Sequence, residues 1–124
     1  MKLQAHHRTL DKWFSLYIRK RDTPGFCCTC GADLTFETSD CGHFISRDHI
    51  ATRWDERNAH AQCRKCNRFQ SGKQYEHGKW VDRIHGKGTA DILLWKSKAP
   101  AKISKDEILA MTKRYRLIVK EGAF

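Results

Sequence analysis

The chain has 124 residues, 24 of them lysine or arginine against 14 acids, for a formal net charge of +10. That length supports one domain with a modest core, for which a bound metal is a common supplement, and the charge favours a polyanionic partner, nucleic acid first, over an acidic membrane. With no apolar run of about 18 residues and no secretory stretch in Met1-Lys2-Leu3-Gln4, the expected location is the cytoplasm, with no membrane partner.

Residues 9–21 read as a helix. Leu10, Trp13, Phe14, Tyr17 and Ile18 recur at three- and four-residue intervals and give one apolar face, while Lys12, Arg19, Lys20 and Arg21 make the rest basic. Asp22-Thr23-Pro24-Gly25 stops it, because Pro24 disfavours helix at Thr23. Cys27-x-x-Cys30 is a first knuckle. Residues 34–50 are strand-like and turn-broken, a loose hairpin carrying His43, and residues 58–62 form an extended segment feeding a second knuckle, Cys63-x-x-Cys66. From Cys66 the chain is expected to turn into a helix. A further helical stretch over 72–85, with Tyr75, Trp80, Val81 and Ile84 toward the core, is closed by Gly86-Lys87-Gly88. Residues 89–95 fit a short helix or a buried strand equally. Ser104-x-x-Glu107 is a capping box opening a last helix over 105–120, with Ile108, Met111, Tyr115 and Ile118 as its apolar stripe and Lys113, Arg114, Arg116 and Lys120 on its remaining surface. The expected fold class is α+β, a single domain over 1–124. It comprises an N-terminal helix (9–21), a small zinc-stabilised core (26–72) and a helical C-terminal part (73–124).

Cys27, Cys30, Cys63 and Cys66 satisfy the two-plus-two spacing of a tetrahedral structural zinc site, in the manner of a zinc ribbon or treble clef. In a reducing compartment such pairs hold metal more often than disulfide. Cys28 and Cys41 are left over; Cys41 is either a buried thiol or a ligand of a second metal. Threaded through this frame, in the order of an HNH nuclease, are His43, Asn58 and Asn67. Phosphodiester hydrolysis needs an activated water, charge neutralisation at the phosphate and help for the leaving oxygen, which one imidazole and one divalent cation can supply. Neutral His43 is the natural base. Asn67, held next to the second knuckle, offers a hard amide oxygen to magnesium or manganese. Asn58 can bridge hairpin to loop and hold His43 in place.

Four blocks carry a family resemblance: Cys30-Gly31; Cys41-Gly42-His43-Phe44-Ile45-Ser46-Arg47; Arg53-Trp54-Asp55-Glu56-Arg57-Asn58-Ala59-His60; and Gln62-Cys63-Arg64-Lys65-Cys66-Asn67-Arg68. Together with Ser71-Gly72, Tyr75, Ile84-His85-Gly86 and the upstream Phe14-Ser15-x-x-Ile18-Arg19-x-Arg21-Asp22, the chain resembles the NinG/Rap family of phage recombination nucleases over about residues 10 to 95. The resemblance implies an HNH (ββα-metal) core and action on branched recombination intermediates such as Holliday junctions. It puts His43 at the base position, Asn58 at the middle asparagine and Asn67 on the metal side. One departure is Gly42, where many HNH enzymes carry an aspartate ligand; Asp40, His49 and His60 are the candidates for a second ligand. Arg47, Arg53, Arg57, Arg64, Lys65, Arg68 and Lys73 are the expected phosphate contacts, which position a backbone without reading bases. Symmetric nicking of a junction would suit a homodimer, and recombination proteins are further expected partners. Two rivals stand beside the nuclease: a zinc module that binds nucleic acid without cutting it, and a protein-interaction zinc domain.

Overall fold

The computed structural model describes residues 2–122. Helix α1 spans Leu3–Asp22, six residues longer at its start than the apolar pattern suggests. Thr9, a plausible N-cap by residue type, instead donates its hydroxyl back to the Ala5 carbonyl (3.0 Å) inside the helix, and His7 packs edge-on against Trp54 at 5.2 Å. Tertiary contact therefore extends the element beyond its local signal. The helix buries Leu10, Phe14 and Ile18, and Arg19, Lys20 and Arg21 fall in its last turn, where cations oppose the helix dipole favourably.

Two short strands, β1 (Gly25–Phe26) and β2 (Asp33–Leu34), pair antiparallel around the first knuckle. A second antiparallel pair joins β3 (Ser39–His43) to β4 (Ala59–Cys63), with Gly42 opposite His60 and His43 opposite Ala59. The partner of the His43 strand is thus β4 rather than a segment within residues 34–50. The connection between them holds one helical turn, α2 (Ile50–Arg53). After β4 the chain makes a π-helical turn over Lys65–Phe69, a tight turn at Ser71–Lys73, and then helix α3, Gln74–His85.

Helix α3 turns His77, Gly78 and Val81 inward, while Tyr75 and Ile84 are exposed, which corrects the apolar face expected from their hydrophobicity. Gly78 is needed there, because a Cβ would lie 2.9 Å from the Phe44 ring. Residues 89–95 belong to a helix, α4 (Thr89–Ser97). Its inward face is Ala90, Leu93 and Ser97, and its bulkier Ile92 and Trp95 point outward. Helix α5, Lys105–Glu121, opens with the expected box: Ser104 accepts from the Glu107 amide at 3.1 Å.

The core has three parts. Leu10, Phe14, Ile18, Trp54, Ala59, Ile108 and Tyr115 join α1 to α5 and to the back of β4. Phe44, Ile45, Val81, Ala90 and Leu93 hold α3 and α4 together. Cys27, Leu34, Ala61 and Cys66 form a small centre around the knuckles. Small separate clusters of this kind bury little area each, which is the situation in which a metal cross-link contributes most. No helix among the described residues is long and apolar enough to cross a membrane.

Candidate functional site

The four knuckle thiols converge. The Sγ atoms of Cys27, Cys30, Cys63 and Cys66 all lie within 4.8 Å of one another, with Cys30 and Cys63 at 3.8 Å. A tetrahedron with metal–sulfur bonds of about 2.3 Å has edges of about 3.8 Å, so the cluster has the dimensions of a zinc site. Burial raises the Cys27 thiol, but the Thr29 hydroxyl and surrounding backbone amides outweigh it and bring the group down to about 6. At Cys30 the lowering by the Ala32 backbone is outweighed by burial and the neighbouring thiols, which push it up to about 12, so the four sulfurs hold their protons unequally. Cys28 and Cys41 stay outside. Burial pushes both up, Cys41 to about 12, as expected of inert thiols.

A second constellation lies along β3, in an open cleft of about 680 Å³ walled by α1, β3 and the segment after the second knuckle. His43 is half-buried at the end of β3, and its Nε2 stands 3.0 Å from the Arg53 carbonyl. A carbonyl only accepts, so Nε2 carries the proton and Nδ1 carries the lone pair. Burial, only partly offset by that carbonyl, lowers the imidazole to about 4, which keeps it neutral at pH 7.

Asn67 donates from Nδ2 to Asp40 Oδ2 at 3.0 Å, leaving its amide oxygen uncommitted. Asp40 is nine-tenths buried and also receives Arg68, at 2.8 Å from Nε and 3.0 Å from Nη2, with Arg64 at 3.8 Å. His43, Asp40, Asn67, Arg47, Arg64 and Arg68 thus line one cleft. The side chains of Arg47, Arg64 and Arg68 remain about half exposed, and the cleft is strongly cationic.

The remaining expected residues lie elsewhere. Asn58 is fully buried and bridges the loop: it accepts the Ile45 amide at 2.9 Å and donates to the carbonyls of Ile45 and Thr52, each at 3.0 Å. Every polar atom of its amide is thereby used, and the Phe44–Ile45 step beside His43 is fixed. Arg53 is held by Asp11 at 2.6 Å, and Arg57 by Asp55 at 2.9 Å. His49, Lys65 and Lys73 do not line the cleft. His60 sits directly opposite Gly42 and faces away from the cleft, with Nδ1 2.9 Å from His77 Nε2 and Nε2 2.9 Å from His85 Nε2. It is a link in a chain of three imidazoles rather than a second cleft ligand.

Two contributors were not singled out in the sequence. Asp11 binds Arg53, Trp54 Nε1 (2.9 Å) and, at 3.7 Å, Arg47, so it ties the α2 region to one wall of the cleft. Its signal was available: Asp11, Ser15 and Arg19 form a polar i, i+4, i+8 stripe beside the buried Leu10, Phe14 and Ile18, and all three line the cleft. Gln62 is fully buried and donates from Nε2 to Gly72 O (2.9 Å) and Thr29 Oγ1 (3.0 Å). Its amide oxygen occupies the space a residue-42 side chain would take, since a Cβ there would fall on it. Glycine at 42 therefore leaves room for the Gln62 amide, which a larger residue would have to displace.

A family profile described as "Bacteriophage Lambda NinG protein" matches residues 1–123. Proteins called "Protein ninG" from Escherichia phage 933W and Salmonella phage P22 are each 42% identical over 57 residues, which is 45% of this chain and 28% of those proteins. The corresponding protein of Escherichia phage lambda is 40% identical over the same span. The matched segment thus represents little more than a quarter of each relative's length. No solved structure matches significantly. The chain belongs to the NinG family of lambda-like bacteriophages.

Proposed function

We propose that this chain is a zinc-stabilised endonuclease of the HNH type that cuts branched DNA of recombination with the help of a divalent cation. The observation that carries the reading is the fixed tautomer of His43 in a cationic cleft. Nε2–H donates to Arg53 O, so Nδ1 is the nitrogen left to accept a proton from water. An imidazole at about 4 is a weak base alone, but an anionic phosphate drawn in by Arg47, Arg64 and Arg68 acts in the opposite direction and raises it. The uncommitted Asn67 amide oxygen and the Asp40 carboxylate are the hard donors that would hold magnesium or manganese, which supplies charge neutralisation at the phosphate. Arg68 covers Asp40 and must yield it, and a substrate phosphate offers Arg68 an equivalent partner. Asn58 acts as a positioning residue through its grip on the loop beside His43. Zinc on the four thiols would anchor Cys66 and with it Asn67.

One observation favours a second reading, a binding module without chemistry. Gln62 leaves no room for an acid at 42, and both Asp40 oxygens are engaged, so the metal side has fewer free ligands than the base side implies. The deciding experiment is cleavage of a labelled four-way junction and a matching duplex with magnesium or manganese, by wild type and His43→Ala. Metal-dependent cutting by wild type, lowered by about 10²–10⁴ in the variant with binding intact, is the expected result. Tight binding with no cutting by either protein would favour the module.

A further inference from the structure

Phe69 is 82% exposed, the most exposed large apolar side chain among the described residues. It closes the π-helical turn that begins at Lys65, directly after Arg68 and two residues after Asn67, both of which line the cleft. The backbone on either side of it is anchored. Upstream, Cys66 is one of the four converging thiols. Downstream, Ser71, Gly72 and Lys73 have φ of +52°, +74° and +46°, three successive left-handed residues of which two carry side chains. That turn is pinned by Gln62, which donates to Gly72 O, and by Gln74, which donates to Phe44 O at 3.2 Å. The left-handed turn begins two residues after Phe69 and fixes the course of the chain there. The surface beside it carries the exposed guanidinium groups of Arg64 and Arg68, complementary to a nucleic-acid backbone and unsuited to an apolar protein partner.

We propose that Phe69 is the branch-reading residue of this protein: it stacks on a base left open where DNA strands diverge, while the neighbouring arginines hold the flanking phosphates. The proposal rests on the DNA reading above. An aromatic enters an intact duplex by unstacking a base step, so Phe69, one residue along from the cleft-lining Arg68, gains a partner most cheaply where stacking is already interrupted. Discrimination for branches would then follow from one side chain without any base-specific hydrogen bond. Trp95 is a natural control, being 77% exposed on α4, outside the segments that line the cleft.

The experiment measures binding to a four-way junction carrying 2-aminopurine at the branch, and to a linear duplex, in a His43→Ala background that keeps the DNA intact. Phe69→Ala is expected to weaken junction binding about tenfold to a hundredfold, to change duplex binding less than about threefold, and to abolish the 2-aminopurine fluorescence change. Phe69→Trp retains all three properties, and Trp95→Ala behaves like its parent. Equal losses on junction and duplex, or an equal effect of Trp95→Ala, would overturn the proposal. So would a Phe69→Ala variant with unchanged DNA binding and altered self-association, which would make Phe69 a protein contact. Junction binding that responds to Phe69 in a protein whose wild type never cuts would leave the branch reader standing and remove the nuclease. Absence of DNA binding by wild type would remove both.

Discussion

His43 and His60 occupy opposite faces of the same strand pair, one residue out of register, and differ in almost everything that chemistry cares about. His43 is half-buried beside a backbone carbonyl, an obligate acceptor that fixes which nitrogen is bare. His60 is buried between two other imidazoles, each able to donate or accept, so neither direction of its hydrogen bonds is imposed. His77 Nδ1, at the inner end of that chain, has no hydrogen-bond partner among the described residues. In the proposed reading the same side chain serves proton transfer in one place and holds α3 against β4 in the other. Residue type does not separate these roles; burial and the nature of the hydrogen-bond partner do.

The sharpest test exchanges the two. His43→Ala is predicted to remove junction cleavage by about 10²–10⁴ while lowering stability modestly. His60→Ala should leave the cleavage rate of the folded fraction within a few-fold, yet cost roughly 2–4 kcal/mol by denaturant unfolding, through a cavity and two lost imidazole bonds. Equal losses of activity for both would erase the distinction.

Acid should address both faces together. Burial holds His43 and His77 at about 4 and His60 at about 2, against an ordinary 6.5. Between those values the unfolded chain binds more protons than the folded one. Stability is therefore complete above about pH 6.5 and is lost as pH falls toward 4. Each imidazole contributes a slope of up to about 1.4 kcal/mol per pH unit. Urea unfolding at pH 7, 6 and 5 with saturating zinc measures it, and His77→Gln should flatten the slope more than it changes stability at pH 7.5.

Gly42→Ala probes the strand between the two histidines. Its Cβ displaces the Gln62 amide from Gly72 and Thr29, for an expected cost of about 1–3 kcal/mol. The double variant with Gln62→Ala should cost less than the sum of the single changes, and additivity would sink the steric account. The smallest effect is expected for single arginines. Arg47→Ala should reduce the salt slope of DNA binding by about one and weaken affinity several-fold, whereas Arg57→Ala, already paired with Asp55, should change neither.

How much of this was legible depended on how local each signal was. The cysteine spacing led directly to the thiol cluster, and the capping box at Ser104 located the start of α5, because both are encoded within a few residues. The order of His43 and Asn67 pointed to residues that do meet in one cleft. Helix α4 was ambiguous because its large apolar residues, Ile92 and Trp95, lie on the outer face and blur the period. Arg53 and Arg57 looked like free cations because nothing in their neighbourhood announces that Asp11 approaches from a helix 42 residues away, or that Asp55 turns back on Arg57. The imidazole chain depends on the packing of α3 against β4, and no spacing rule connects residues 60, 77 and 85.

Helix α1 has one further property. Its Leu10–Phe14–Ile18 stripe packs on α5, and its Asp11–Ser15–Arg19 stripe, about a hundred degrees round the helix, is a wall of the cleft. Tyr17 and Tyr115 both donate to Glu56, at 2.9 and 2.8 Å, so the two helices are also latched to the loop ahead of β4. Helix α5 therefore backs a wall of a cleft that it does not itself line. Shortening it from its end, or loosening Tyr115, would act on substrate fit at a distance, as moving a door frame alters a lock that has not been changed.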